Sequence, residues 1–341
     1  MTRPEGSLPA GEVVAQTRFT PTPALIARFT EELARLWPER TRAGGGRLGL
    51  AVSGGPDSTA LLLIAAAALP GEVEAASVDH GLRPASADEC EAVAGLCAQL
   101  GVPHRVLRVT VAAGNLQAEA RRARYAALAG WTGERDLAAL ATGHHADDQV
   151  ETLLLRLNRA SGVAGLAGAR ARGVVPGTPI PLVRPLLGWR RAELAEIVNA
   201  ASIAAAHDPS NSDDRFDRAR MRKAIAGSDW LDVAAIAESA SHLGDADAAV
   251  DWAARREWHE QVREEGLGIT YRPKAPRAVA LRVLARIVAR LDGEEPRGGA
   301  IARAFDALAA GQPTSIGALV GRPGPHGWAF AKAPRRAGKD A

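Results

Sequence analysis

The chain has 341 residues, of which 47% are hydrophobic and 24% charged. Those fractions are those of a globular protein and exclude a disordered chain. At about 150 residues per domain the length suggests two domains. Its longest apolar run, Ala60 to Leu69, is ten residues, too short for the roughly 18 needed to span a bilayer. The N-terminal MTRPEGSLPAGEVVAQ has no apolar signal core, so the expectation is a cytoplasmic protein with no membrane partner. Two cysteines, Cys90 and Cys97, exclude a disulfide scaffold and any CxxC pair.

Basic residues number 42 and acidic ones 39, for a net charge of +3. Only four of the basic residues are lysines, so 38 are arginines. The charge is segregated along the chain. Arg272 to Arg303 carries eight basic and three acidic residues, Arg105 to Arg124 five and one, and Asp232 to Glu265 three and nine. Codon bias accounts for arginine in bulk. Segregation is what a one-sided nucleic-acid footprint needs, and arginine's planar fork suits phosphate.

In chain order, Pro23 to Trp37 reads as a helix, followed by a glycine hinge at Gly44-Gly45-Gly46. Strands are expected at Leu48–Val52, Val73–Val78, Arg105–Val109 and Leu137–Thr142. Helices are expected between and after them, at Asp57–Leu69, Ser86–Leu100 with Ser86 as N-cap, Leu116–Trp131 and Ala146–Asn158. This alternation implies an α/β fold: a parallel sheet with helices on both faces. Ligands bind such sheets beyond the carboxyl ends of the strands, so functional residues should follow Val52, Val78 and Thr142. Further on, Gly168–Pro181 reads as a loop, Trp189–Ala201 as a helix, His207–Asp214 as irregular and Asp217–Ala226 as a basic helix. Beyond Gly227 the strand signal fades. Asp232–Glu265, Pro276–Leu291 and Gly299–Ala310 read as helices of a small domain, with a short hairpin near Ser315–Phe330 and a disordered tail after Ala333.

The chemistry concentrates in two segments. Ser53-Gly54-Gly55-Pro56-Asp57-Ser58 lies between a strand and a helix. Paired glycines admit an anion close to the backbone, and the helix start offers free N–H groups. No lysine is present, so this is not the GxxxxGK[ST] phosphate loop. A carboxylate at Asp57 within a phosphate cradle suits Mg²⁺; the competing reading is a turn capped by Asp57 and Ser58. The second segment, Thr142-Gly143-His144-His145-Ala146-Asp147-Asp148-Gln149-Val150-Glu151-Thr152, ends the fourth strand. Asp148 and Glu151 share a helix face and suit a metal or an ammonium; dipole-favoured first-turn acids are the alternative.

The first segment resembles the SGGxDS pyrophosphate loop of the ATP pyrophosphatase superfamily, whose domain is adenine nucleotide alpha-hydrolase-like. The second resembles the HHxDDxxET motif of the tRNA(Ile)-lysidine synthetases. Asp79-His80-Gly81-Leu82-Arg83 falls where the superfamily places adenosine. Ala120-Arg121-Arg122-Ala123-Arg124-Tyr125 resembles the family's ARxxRY helix, Arg184-Pro185-Leu186 its RPL segment, Asp208-Pro209-Ser210-Asn211 its DxSN segment and Arg218 to Arg222 its arginine-rich helix. Two positions depart from the pattern, Ala160 after Arg159 and Ala219 after Arg218. The resemblance covers residues 47 to 226 and implies a catalytic domain there, preceded by an extension over 1–46 and followed by a tRNA-binding domain over 227–333. It implies ATP and Mg²⁺ as cofactors, and free lysine and an isoleucine tRNA with anticodon CAU as partners. In the implied reaction ATP adenylates the C2 oxygen of the wobble cytidine, and the lysine ε-amine then displaces AMP. Ser53, Gly54, Gly55, Pro56 and Ser58 would hold pyrophosphate, Asp57 the metal, and Asp79 and His80 the adenosine side. Asp148 and Glu151 would bind lysine, with Arg218 or Arg222 for its carboxylate. A tRNA thiolase of the same superfamily is the nearest alternative, but those use cysteine pairs, and Cys90 and Cys97 are seven apart. A non-catalytic nucleotide or tRNA binder would have no need of Asp57.

Taken singly, several of these residues read as structural. Arg121 and Arg124 would be solvated helix charges, Tyr125 a core aromatic, Cys90 and Cys97 packing residues, and Trp252 and Trp258 core. Arg282, Arg286 and Arg290 share one helix face, either as a solvated stripe or as a phosphate track for tRNA.

Overall fold

The computed structural model describes residues 20–42, 45–81, 85–206, 215, 217–293 and 298–333. Expectations for Leu82 and Arg83, for His207–Asp214 with the DxSN segment, and for the tail after Ala333 fall outside them. The chain forms two compact units. One takes residues up to Ala146 together with Ala171–Pro209, the other Asp147–Arg170 together with residues from Ser210 onward.

The first unit opens with α1 (Pro23–Leu36), capped by the Thr22 hydroxyl, and the single turn α2 (Glu39–Arg42). Then β1 (Leu48–Ala51), α3 (Pro56–Ala68), β2 (Val73–Asp79), α4 (Ala85–Leu100), β3 (His104–Arg108), α5 (Leu116–Glu134) and β4 (Ala139–Thr142) alternate as the periodicity predicts. The chain then runs through α6 (Ala146–Leu157) and the turn α7 (Val163–Leu166), which from Asp147 on belong to the second unit, and returns to the first with β5 (Arg172–Val174), β6 (Pro181–Val183) and α8 (Arg191–Ala200). The sheet order is β3-β2-β1-β4-β6-β5, parallel except for the edge strand β5. β1 and β4 are buried along their whole length, as strands covered on both faces must be. One core packs α1, α3 and α8 on the sheet around Phe29, Leu61, Ile64 and Trp189; another includes Tyr125, Leu128 and Trp131 of α5.

Two readings are corrected here. Ser86 does not cap α4; it lies inside the helix, and its hydroxyl donates to Asp79 Oδ1 at 2.6 Å. Gly168–Pro181 is not wholly loop, because β5 pairs antiparallel with β6 inside it and at its end. Arg172 of β5 binds Glu39 through both guanidinium nitrogens, at 2.9 and 2.7 Å.

The second unit adds α9 (Asp217–Ala226), α10 (Val233–Gln261), β7 (Val262–Glu265), β8 (Gly268–Tyr271), α11 (Arg277–Asp292), α12 (Gly298–Ala309), β9 (Thr314–Ile316), β10 (Leu319–Gly324) and β11 (Gly327–Lys332). The three long helices are as expected. The five-stranded antiparallel sheet, ordered β7-β8-β11-β10-β9, is not, beyond the hairpin near Ser315–Phe330. The expected helix over Asp232–Glu265 stops at Gln261 because Val262 enters the sheet and Gly266, at φ +58°, turns the β7–β8 hairpin. The Val-Arg-Glu-Glu sequence of β7 buries only its valine, as a charged edge strand does. Tyr271 and Trp328 meet edge to face at 5.9 Å, and Phe305 meets the same indole at 5.3 Å.

The charge pattern also resolves here. Arg282, Arg286 and Arg290 do share a face of α11, but the face is turned on acids of this unit. Arg282 binds Asp247 and Asp251, Arg286 binds Asp251 at 2.8 Å, and Arg290 reaches Glu264 at 3.3 Å. Asp247 is buried and also receives Arg170 at 2.7 Å. The basic and acidic stretches of the sequence are thus largely partners of each other, and each of the three arginines has an acid of this unit as partner. Removing one member of a buried ion pair strands the other, and partial exposure of the arginines softens the loss. Asp247→Asn is expected to cost this unit about 2 kcal/mol, seen as a lower urea midpoint with an unchanged slope.

Candidate functional site

The sheet order reverses direction between β1 and β4, and the crevice of an open α/β sheet lies at such a switch point, beyond the strand ends. The Ser53–Ser58 loop leaves β1 there and Gly143-His144-His145 leaves β4. Gly54 takes φ +83°, a conformation costly for any residue with a Cβ. Gly55 is the N-cap of α3 without a capping side chain, and Pro56 opens the first turn, where its missing N–H is no loss. The Ser58 hydroxyl donates to the Gly55 carbonyl at 3.0 Å and accepts from the Ser53 N–H at 3.1 Å. The Ser53 and Ser58 hydroxyls lie 3.2 Å apart, and Thr59 donates its hydroxyl to the Gly54 carbonyl at 3.3 Å. These bonds fix the loop from within, so Asp57 is not spent on capping.

Asp57 Oδ2 lies 3.3 Å from His145 Nε2, a ring with no solvent exposure. Asp57 Oδ1 is buried and has no hydrogen-bond partner among the described residues. A buried carboxylate oxygen left without a donor is costly unless a cation supplies the missing interaction. Among the described residues no cluster of three or more His, Cys, Asp or Glu side chains could hold a metal unaided. Mg²⁺ is commonly held by one or two carboxylates together with substrate phosphates, and the Asp57 carboxylate is of that donor type. Gly143 brings the two segments together: a Cβ there would sit 2.9 Å from the Asp57 carbonyl oxygen and 3.2 Å from Ser58 Cα. Thr142 and His144 bond through their side chains at 2.8 Å.

At the end of β2, Asp79 accepts from Ser86 and from the Gly81 N–H at 2.9 Å, and the Ser86 bond foremost holds its carboxyl below the usual range. His80 follows, its Nδ1 buried and without a hydrogen-bond partner among the described residues. Burial and then the Arg124 charge push this imidazole below its ordinary value, against a smaller pull from Asp79. Sequence reasoning undervalued the arginines behind it. Tyr125 is a core residue as expected, but Arg121 and Arg124 lie over its ring, 4.9 and 5.7 Å from the centroid. Burial lowers the basicity of both Arg124 and Arg184, Tyr125 opposes this, and the repulsion of Arg121 adds to it. Arg124 is therefore not a solvated helix charge. Cys90 and Cys97 are buried, as packing residues are, and burial pushes the Cys97 thiol up to about 12.

The second unit holds the rest of the predicted set. On α6, Glu151 is 1% exposed and Asp148 half-buried, on one face. Arg222 of α9 donates to Glu151 through Nε at 2.9 Å and through a terminal nitrogen at 3.4 Å. Arg218 is exposed and reaches the Thr152 hydroxyl at 3.5 Å. Arg159 pairs with Asp217 at 2.7 Å. Gln149, between the two acids, is buried and exchanges two hydrogen bonds with the Ala169 backbone, at 2.9 and 2.7 Å. This anchor was not recognised in the sequence; a glutamine inside an otherwise acidic motif was the available signal.

The His80 environment makes a titration testable. An imidazole whose folded pKa lies below its unfolded value of about 6.5 leaves the unfolded chain binding more protons just below that pH. His80 thus withdraws stability as pH falls through about 6.5. By NMR its ring should titrate below that value, and Arg124→Gln should move it upward.

The PP-loop domain family matches residues 25–228. A tRNA(Ile)-lysidine synthase from Novosphingobium aromaticivorans is 46% identical over 293 residues, covering 85% of this chain and 90% of that protein. Another, from Zymomonas mobilis, is 40% identical, with the same coverage of each chain. Among solved structures, the U34-tRNA thiolase NcsA from Methanococcus maripaludis superposes with a TM-score of 0.52 at 14% identity, covering 64% of this chain and 78% of that one. At that identity it speaks for the fold alone.

Proposed function

The chain belongs to the tRNA(Ile)-lysidine synthase family, and from that membership we propose how its residues perform the reaction. It is an ATP-dependent ligase that modifies tRNA, forming lysidine. The finer reading is an isoleucine tRNA with anticodon CAU as acceptor, free lysine as second substrate, Mg²⁺ beside ATP, and a cytoplasmic setting. No helix among the described residues is long and apolar enough to cross a membrane. The observation that carries the residue assignment is Asp57: a buried carboxylate oxygen without a donor, beside a glycine loop, with His145 behind it.

Ser53, Gly54, Gly55 and Ser58 form the loop that holds the β and γ phosphates, through N–H groups at the start of α3. Asp57 is the ligand that would hold Mg²⁺, which would offset the charge developing on the phosphates. His145 keeps the Asp57 carboxylate aimed into the loop. His80 and Asp79 line the adenosine side, where a neutral imidazole costs less to bury than a charged one. Arg121, Arg124 and Arg184 add positive potential for the triphosphate. The C2 oxygen of the wobble cytidine attacks the α phosphorus, the bond to the β phosphate breaks, and pyrophosphate leaves. The lysine ε-amine then attacks C2, gives up its proton, and AMP departs with the former C2 oxygen. A poor oxygen leaving group has become a good one.

Asp148 and Glu151 receive the lysine ammonium, and one of them takes the proton released on attack. Arg222 holds Glu151 in place through a fork-to-carboxylate bond. That leaves Arg218 for the lysine carboxylate.

Asp57→Asn should lower the rate of ATP- and tRNA-dependent AMP release by on the order of 10²–10³-fold, the scale of losing a preorganised charge, without loss of fold by circular dichroism. Near-normal release by the folded variant would remove the metal role. Glu151→Gln and Asp148→Asn should raise the lysine KM by about tenfold each, the scale of one charge-assisted hydrogen bond, and leave the ATP KM unchanged. Equal losses for ATP and lysine would assign these carboxylates to the metal instead.

A further inference from the structure

α10 carries an exposed stripe that the reaction does not use. Trp252, Arg255, Arg256 and His259 recur at intervals of three and four residues and so share one face. Trp252 is 58% exposed, which corrects its reading as core; Trp258, on the neighbouring face, packs against the core of its unit. Arg256 lies 5.3 Å from the Trp252 ring centroid. Beside the stripe runs an open groove of about 410 Å³, lined by Arg255, Trp258 and His259 of α10 and by Arg286, Ala289 and Arg290 of α11.

The groove carries surplus positive charge. Arg255, Arg282 and Arg286 converge on the single carboxylate of Asp251, at 3.5, 3.0 and 2.8 Å. Arg282 has a second carboxylate in Asp247, which leaves three guanidiniums to two acids, and Arg170 draws on Asp247 as well. Arg290 is paired with Glu264 only at 3.3 Å and with both groups well exposed, an interaction worth little in water. An anion can therefore enter without breaking a strong bond. A large indole left in solvent, with a guanidinium on it, next to an under-neutralised groove of nucleotide size, matches the two things RNA offers: an unstacked base and a phosphate.

We infer that the α10–α11 groove is a tRNA contact, seating a backbone phosphate among Arg255, Arg286 and Arg290 while an unpaired base stacks on Trp252. This rests on the proposed function in that tRNA is the substrate, and it assigns part of that substrate to a surface of this unit. The pairing of α10 with α11 holds Arg286 and Arg290 in place, so the site is built before RNA arrives.

The test is equilibrium binding of a CAU-anticodon isoleucine tRNA transcript to the full chain over a range of salt. Trp252→Ala should weaken binding about tenfold, within the range for one lost base stack, and Trp252→Phe should recover most of it. Arg255→Gln should reduce the slope of log affinity against log salt by about 0.7–0.9, the value for one phosphate contact. Both side chains are exposed, so the fold should survive, and ATP binding should not change. A Trp252→Ala/Arg255→Gln protein with wild-type affinity and slope would overturn the inference even while the wild type transfers lysine. If the wild type transfers no lysine to this tRNA but the variants still lose affinity as stated, the groove stands and the proposed reaction falls. Equal competition by poly-glutamate of matched charge would overturn the groove as an RNA site, since a peptide chain has no bases to stack on Trp252.

Discussion

The loop end of the first unit depends on how closely two chain segments approach at Asp57. Gly143 leaves β4 against the backbone of Asp57 and Ser58, with no room for a Cβ. That approach sets His145, two residues on, within 3.3 Å of the Asp57 carboxylate. The loop's own bonds, from Ser58 back to Ser53 and Gly55, leave Asp57 Oδ1 buried and without a hydrogen-bond partner among the described residues. A carboxylate is useful to a cation only if nothing inside the protein has already satisfied it. The left-handed turn at Gly54 and the close fit at Gly143 both require a residue without a Cβ for that outcome.

Most of the first unit was legible because its strands are short, apolar and punctuated by helices of the right period. β1 and β4 needed no long-range knowledge to find. Arg172-Gly173-Val174 carries no strand signal of its own; β5 exists because the nearby β6 pairs with its backbone and Glu39, distant in sequence, receives Arg172. The second sheet was missed for the same reason. Val262–Glu265 continues a helical, charged pattern, and only the turn at Gly266 and the buried Tyr271 and Phe330 make it a strand. Local propensity decides little for an edge strand, whose context rather than its composition sets its pairing.

For the candidate site, sequence order located the loop, the histidine–aspartate segment and the basic helix α9. It did not say which arginine meets Glu151, since Arg218 and Arg222 lie one turn apart and either spacing is sound. Geometry separates them: Arg222 forks onto a buried carboxylate and Arg218 stays in solvent. Ser86 shows the converse. A serine at a helix start reads as a cap, yet here the helix already begins at Ala85, and the Ser86 hydroxyl donates to the Asp79 carboxylate at the end of β2.

Charge shows most clearly why a linear reading of composition misleads. A basic stretch and an acidic stretch in one chain look like two surfaces, one of them for an anionic partner. In the fold α10 and α11 lie side by side, and the acids of the first are met by the arginines of the second. What remains for a partner is not the count of arginines but the remainder after internal pairing. Three guanidiniums on one aspartate leave such a remainder, and it falls beside the one tryptophan of α10 that is left in solvent. A folded protein can thus be nearly neutral as a whole, and locally balanced along most of a helix pair, and still present a place where a phosphate is the missing charge.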